Sequence, residues 1–237
     1  MNRGEDLPAA DRLATLLDTL AGADLAARRD RAEPLHRQAL DYQNVKRLPV
    51  CVSYPFPRDF PFQPLPNRAI YGDPAAMLYN ELLSAWDSSV VLSTGIGDDL
   101  PPTIRSNWGT VVVASILGGK VEQVGDHTPW IRRSDDAHTS LEAIAEADPD
   151  IAGSGWVPRV LETYAAYRHL LAPHPELRSA LRMTLPDLQG PLDTVEQLLG
   201  EELFVDMLER PELAARALRR VAEIQVAGAR LFGAHIQ

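Results

Sequence analysis

Leu181-Arg-Met-Thr-Leu-Pro-Asp187-Leu-Gln189-Gly-Pro191 decides how the rest of the chain is read. The apolar run from Leu181 to Leu185 has the length of a short strand. Asp187 and Gln189 form a polar tip, Gly190-Pro191 stops the backbone pattern, and a helix starts at Asp193 or Thr194. A strand ending in a loop that feeds a helix is the unit of α/β folds, where such loops carry the chemistry. Downstream, Thr194 to Leu199 and Glu201 to Leu208 are helical in pattern. Pro211 to about Leu231 is a strongly amphipathic helix, with proline in its first turn and Gly233 after its end. Ala234 to Gln237 reads as the start of another strand or loop.

Upstream, Pro8 to about Tyr42 is helical: Leu13, Leu16, Leu17 and Leu20 recur at helical spacing, and Gly22 interrupts. A second amphipathic stretch covers Asp24 to Leu40, with Arg28, Arg29 and Arg31 on a solvated face and Pro34 in the first turn of a further helix. Val45 to Ser53 is short and largely apolar, the expected first strand of the core. Tyr54 to Asn67, with prolines at 55, 57, 61, 64 and 66, is a loop. A helix is expected from Asp73-Pro74 to about Trp86, then a strand from Ser89 to Ser93 ending in the acidic loop Thr94 to Asp99. Thr103 to Gly109 is a strand tip. Thr110 to Leu117 is apolar and β-branched, and its pattern fits strand and helix alike. Val121 to Val124 reads as strand, Asp126 to Trp130 as a turn, and Ser140 to Glu146 and Trp156 to Leu171 as helices.

Strands alternating with helices over short connections predict a parallel α/β core with four or five strands. The wording around the opening stretch adds a resemblance. An Asp-Leu-Gln-Gly-Pro turn, an acidic Leu-rich helix and the Pro211-Glu212-Leu213 helix start resemble the uroporphyrinogen decarboxylase superfamily. Its members include porphyrinogen decarboxylases and the corrinoid-linked methyltransferases of methanogens. The resemblance implies a (β/α)8 TIM-barrel type of fold. Such barrels take about 250 residues, so the expectation here is a barrel incomplete at its C-terminal end. A helical extension would occupy residues 1–44 and a partial barrel residues 45–237.

The resemblance also frames the candidate residues. True porphyrinogen decarboxylases hold substrate carboxylates with paired arginines after the first strand, since guanidinium forks bind carboxylates bidentately. Here that loop reads Tyr54-Pro-Phe-Pro-Arg58-Asp59, without the pair. This favours the methyltransferase-like and uncharacterised branches over porphyrinogen decarboxylation. The alternatives are decarboxylation in porphyrin biosynthesis, or a noncatalytic subunit, pseudoenzyme or inactive gene fragment. Substrate-binding candidates are Asp187 and Gln189 at the strand end, and Asp98, in a loop comparable to the one where the decarboxylases place an aspartate that holds pyrrole N–H groups, although the surrounding words differ. Arg105 and Asn107 join them, in a stretch similar to the Pro-Asn-(aromatic)-Gly-Thr of uncharacterised members. The bland reading of each is a cap or a turn.

No metal site is expected in this chain. The methyltransferase branch binds zinc through His-x-Cys and a later Cys, whereas here Cys51 is the one cysteine and reads as a buried, inert thiol. Zinc or a corrinoid is implied only with a missing C-terminal part. The formal charge of −10, from 23 basic and 33 acidic residues, argues against nucleic-acid and anionic-membrane partners. Expected partners are a small-molecule or tetrapyrrole/corrinoid ligand, and a homo-oligomer or partner chain that completes the barrel. With one cysteine, no apolar signal core and no run long enough to span a bilayer, the expected address is cytoplasmic.

Overall fold

The computed structural model describes residues 8–52, 60–93, 99–132 and 140–236, without the side chains of residues 87–93. The elements begin with α1 (Ala9–Ala21), α2 (Leu25–Leu40), α3 (Asn67–Ile70), α4 (Pro74–Ser93), β1 (Thr103–Arg105), α5 (Val112–Ile116), β2 (Lys120–Glu122) and β3 (Trp130–Arg132). They continue with α6 (Leu141–Ala145), α7 (Val157–Leu171), α8 (Pro175–Ala180), β4 (Arg182–Thr184), α9 (Pro191–Leu199), α10 (Glu202–Glu209) and α11 (Pro211–Ile236). The chain divides into two compact units. Residues 1–105 and 165–184 form the first, residues 106–164 and 185–237 the second.

In the first unit, Leu13, Leu16, Leu17 and Leu20 make the buried stripe of α1, which packs on α4. Met77, Leu78, Leu82 and Leu83 of α4 are buried in turn, as helical spacing requires. Asp24 caps α2 by accepting the N–H of Ala27 at 3.2 Å. Pro34 lies inside this single helix and starts no new one. Arg28 is not solvated: it is 2% exposed, and its guanidinium donates to the carbonyls of Ala85 and Leu100, both at 2.8 Å. Those bonds satisfy a charge that burial would otherwise penalise heavily. Strands β1 and β4 pair in parallel, with Thr103 opposite Arg182, Ile104 opposite Met183 and Arg105 opposite Thr184.

In the second unit, β2 and β3 form an antiparallel hairpin whose connection includes Asp126 to Pro129, with Trp130 opening β3. Val111, Ala114 and Ile131 centre a small core with Val121, Trp156 and Leu198 against it. Helix α11 packs on α5, α6, α9 and α10 through a face that includes Ala214, Ala217, Val221, Ile224 and Phe232.

The expected barrel is overturned. Among the described residues there are two separate sheets of two strands, each strand three residues long, whereas a barrel closes eight strands around one interior. Residues 45–52 make no strand. Pro49 has no N–H to give a ladder, Leu48 and Val50 are exposed, and the Val50 N–H goes to the Asp99 carboxylate at 2.9 Å. Ser89 to Ser93 is the last part of α4, because a short apolar run continuing a helix has the same composition as a strand. Within Thr110 to Leu117, the ambiguous run resolves as the short helix α5, Val112–Ile116. Helix α11 runs through Gly233 to Ile236. A glycine inside a helix costs about 1 kcal/mol relative to alanine, while burying a phenylalanine such as Phe232, fully buried here, returns about 1.5–3 kcal/mol. Helix α8, with Pro175 at its start and Glu176 in its first turn, carries both N-terminal signals and was not expected.

Candidate functional site

Pro186-Asp187-Leu188-Gln189-Gly190 links β4 to α9 and belongs, from Leu185 onward, to the second unit. Its backbone is held from two sides. The Asp187 carboxylate accepts the N–H of Gln189 at 3.1 Å, closing an Asx turn. From α11, the Gln225 amide donates to the carbonyls of Leu188 at 3.1 Å and Gln189 at 2.9 Å. Beneath the turn, the buried Thr194 hydroxyl donates to the Gly190 carbonyl at 2.9 Å.

The result is an unusual backbone. Gln189 sits at φ 53°, in the left-handed region that glycine, asparagine and aspartate tolerate better than glutamine. Its side chain is half-buried, and the amide takes part in no hydrogen bond among the described residues. The turn therefore fixes one primary amide, able to donate and accept, on a rigid backbone.

Asn107 also lies in the second unit, half-buried on the segment that leaves β1. Three residues on, Thr110 accepts a hydrogen bond at 3.0 Å from Gln197 of α9, the helix that the Asp187–Gln189 turn feeds. Trp108 has a packing role. Its indole N–H donates to Thr163 at 3.1 Å, and its ring meets Trp156 edge-on at 5.1 Å. Arg159 lies over both rings, 4.7 Å from the Trp156 centroid and 5.9 Å from that of Trp108.

Arg105 belongs to the first unit, where its backbone is used on both sides. Its N–H donates to Glu81 at 2.9 Å, and its carbonyl accepts from the Tyr167 hydroxyl at 3.2 Å. Asp98 and Arg58 lie outside the described residues. The structure thus joins Asp187 directly to Gln189. Gln225 and Gln197, which organise the region, were missed from the sequence. A single glutamine on a long amphipathic helix carries no spacing signal, and only the fold shows what it reaches.

Cys51 is exposed, correcting its reading as a buried strand thiol. Its Sγ lies 3.8 Å from His36 Nε2, which is itself 2.8 Å from the Asp99 carbonyl. A carbonyl only accepts, so that nitrogen carries the proton and has no lone pair for a metal. The zinc of the methyltransferase branch does not fit the residues here, and no group of three or more His, Cys, Asp or Glu among the described residues is arranged to hold a metal. Asp99 is instead an anchor. Arg47 donates to both of its oxygens and, with the Val50 N–H, holds its carboxyl down at about 2.

No described helix is long and apolar enough to cross a membrane. No protein-family model, curated protein or solved structure matches the chain.

Proposed function

We propose that this chain is a ligand-binding relative of the uroporphyrinogen decarboxylase superfamily, from its methyltransferase-like or uncharacterised branches, and that its site is the Asp187–Gln189 turn. The kinship rests on the wording from Asp187 to Leu213. The binding role rests on Gln189, a left-handed non-glycine residue with an amide bonded to nothing else among the described residues. Strain retained at a turn that three side chains hold is a pointer to function. The ligand class is a tetrapyrrole or corrinoid. Porphyrinogen rims carry carboxylates and corrinoid rims carry amides, and a primary amide pairs with both.

A noncatalytic binding role is favoured over chemistry at this turn by one observation: the Asp187 carboxylate is engaged in the cap of its own turn. A cytoplasmic address belongs to the same proposal, supported by a single cysteine in 237 residues. Titration with hydroxocobalamin, and separately with uroporphyrin, followed by visible absorbance, tests the reading. Saturable binding of one of them at one ligand per chain is expected. Flat titrations with both would remove it.

A further inference from the structure

Helix α10 buries Leu203 and turns outward Phe204 at 50%, Val205 at 54% and Leu208 at 85% exposure. Successive residues of a helix advance by about 100°, which sets these three on one face. Exposed carboxylates border that face: Glu201 at its start, Glu202 and Glu209 along one flank, and Glu212 just beyond. None of the four has an ion pair or a side-chain hydrogen bond among the described residues. Arg210, the one basic residue between Val195 and Leu213, is already held by Asp206 and Glu142. An apolar stripe beside unneutralised carboxylates is matched by a segment with the opposite pattern.

We propose that the outward face of α10 docks a basic amphipathic segment of a partner protein. Its apolar residues cover Phe204, Val205 and Leu208, and its Lys or Arg residues meet Glu201, Glu202 and Glu209. The charge decides against the other occupants. A second copy would bring the same carboxylates against themselves, and an anionic bilayer would repel them.

The test uses the full chain and two 15-residue helical peptides, one of leucine and lysine in amphipathic order and one with glutamate for each lysine. Fluorescence anisotropy at 150 mM salt should show saturable binding of the lysine peptide only. Phe204→Ser with Leu208→Ser should weaken binding at least tenfold with an unchanged circular dichroism spectrum. The triple change Glu201→Gln, Glu202→Gln, Glu209→Gln should flatten the salt dependence. Equal binding to the serine variant would overturn the proposal, since attraction to an acidic protein at large needs no apolar face. Dimerisation, or adsorption to anionic vesicles, that disappears in the serine variant would overturn it in favour of a second copy or a membrane.

Discussion

Gln189 shows how a single dihedral constrains both stability and use. Its left-handed backbone is imposed by Asp187 and Gln225, which bond to the main chain and not to its side chain. Gln189→Val should therefore destabilise the fold by about 1–2 kcal/mol in urea titrations, because a β-branched residue resists that conformation. Gln189→Gly should leave stability within about 1 kcal/mol, trading relieved strain against a more flexible unfolded chain. Asp99 gives a second test at this scale. Its folded carboxyl is held at about 2, chiefly by Arg47, against an ordinary 3.8. That contribution is complete above about pH 4 and disappears as pH falls toward 2. The melting-temperature gap between the parent and Asp99→Asn should close over that interval, and a gap that persists at pH 2 would refute the assignment. The gap should be modest and salt-sensitive, because Arg47 faces solvent. Exposed Cys51 should react fully with a thiol reagent in the native state; a thiol that reacts only after unfolding would contradict the structure.

At the scale of elements, the junction into α7 is closely packed. Gly155 has φ 56°, and a Cβ there would lie 2.5 Å from the backbone carbon of Ser115. Ser115 in turn accepts the Trp156 N–H at 2.9 Å, which fixes this approach. Gly155→Ala should cost about 3 kcal/mol, combining left-handed strain with a backbone clash. Arg210→Ala, at the C-cap of α10, should barely move the melting temperature, because Arg210 faces solvent and exposed ion pairs contribute little. Elements with strong periodicity or clear end signals were legible in the sequence. The leucine stripe of α1 and the Pro211 start of α11 are such cases, as is the strand–turn–helix order from β4 to α9. Segments whose composition suits two states were not. Val45 to Val52 and Ser89 to Ser93 are both apolar, and neither is a strand, one taken by the Asp99 anchor and the other by the continuing α4. The end of α11 ran past its glycine because burial outweighs propensity.

For the whole molecule, the same misreadings explain why a barrel was expected. The two expected strands that prove to be irregular chain and helix supply the alternation that a parallel α/β core demands, and without them only the β1–β4 pair is parallel among the described residues. The candidate site rests on one local turn. Asp187 and Gln189 were legible as a polar tip after an apolar run. The reason they sit as they do, the Gln225 clamp from α11, depends on residues far apart in the chain. The most direct test pairs Gln189→Gly with the parent protein in calorimetric titrations against whichever of hydroxocobalamin and uroporphyrin binds. The account predicts that the variant keeps its melting temperature within a few degrees and loses affinity at least tenfold, because the backbone is held without the side chain and the ligand is not. Equal affinity in the two proteins would contradict it, and would leave the turn a structural device only.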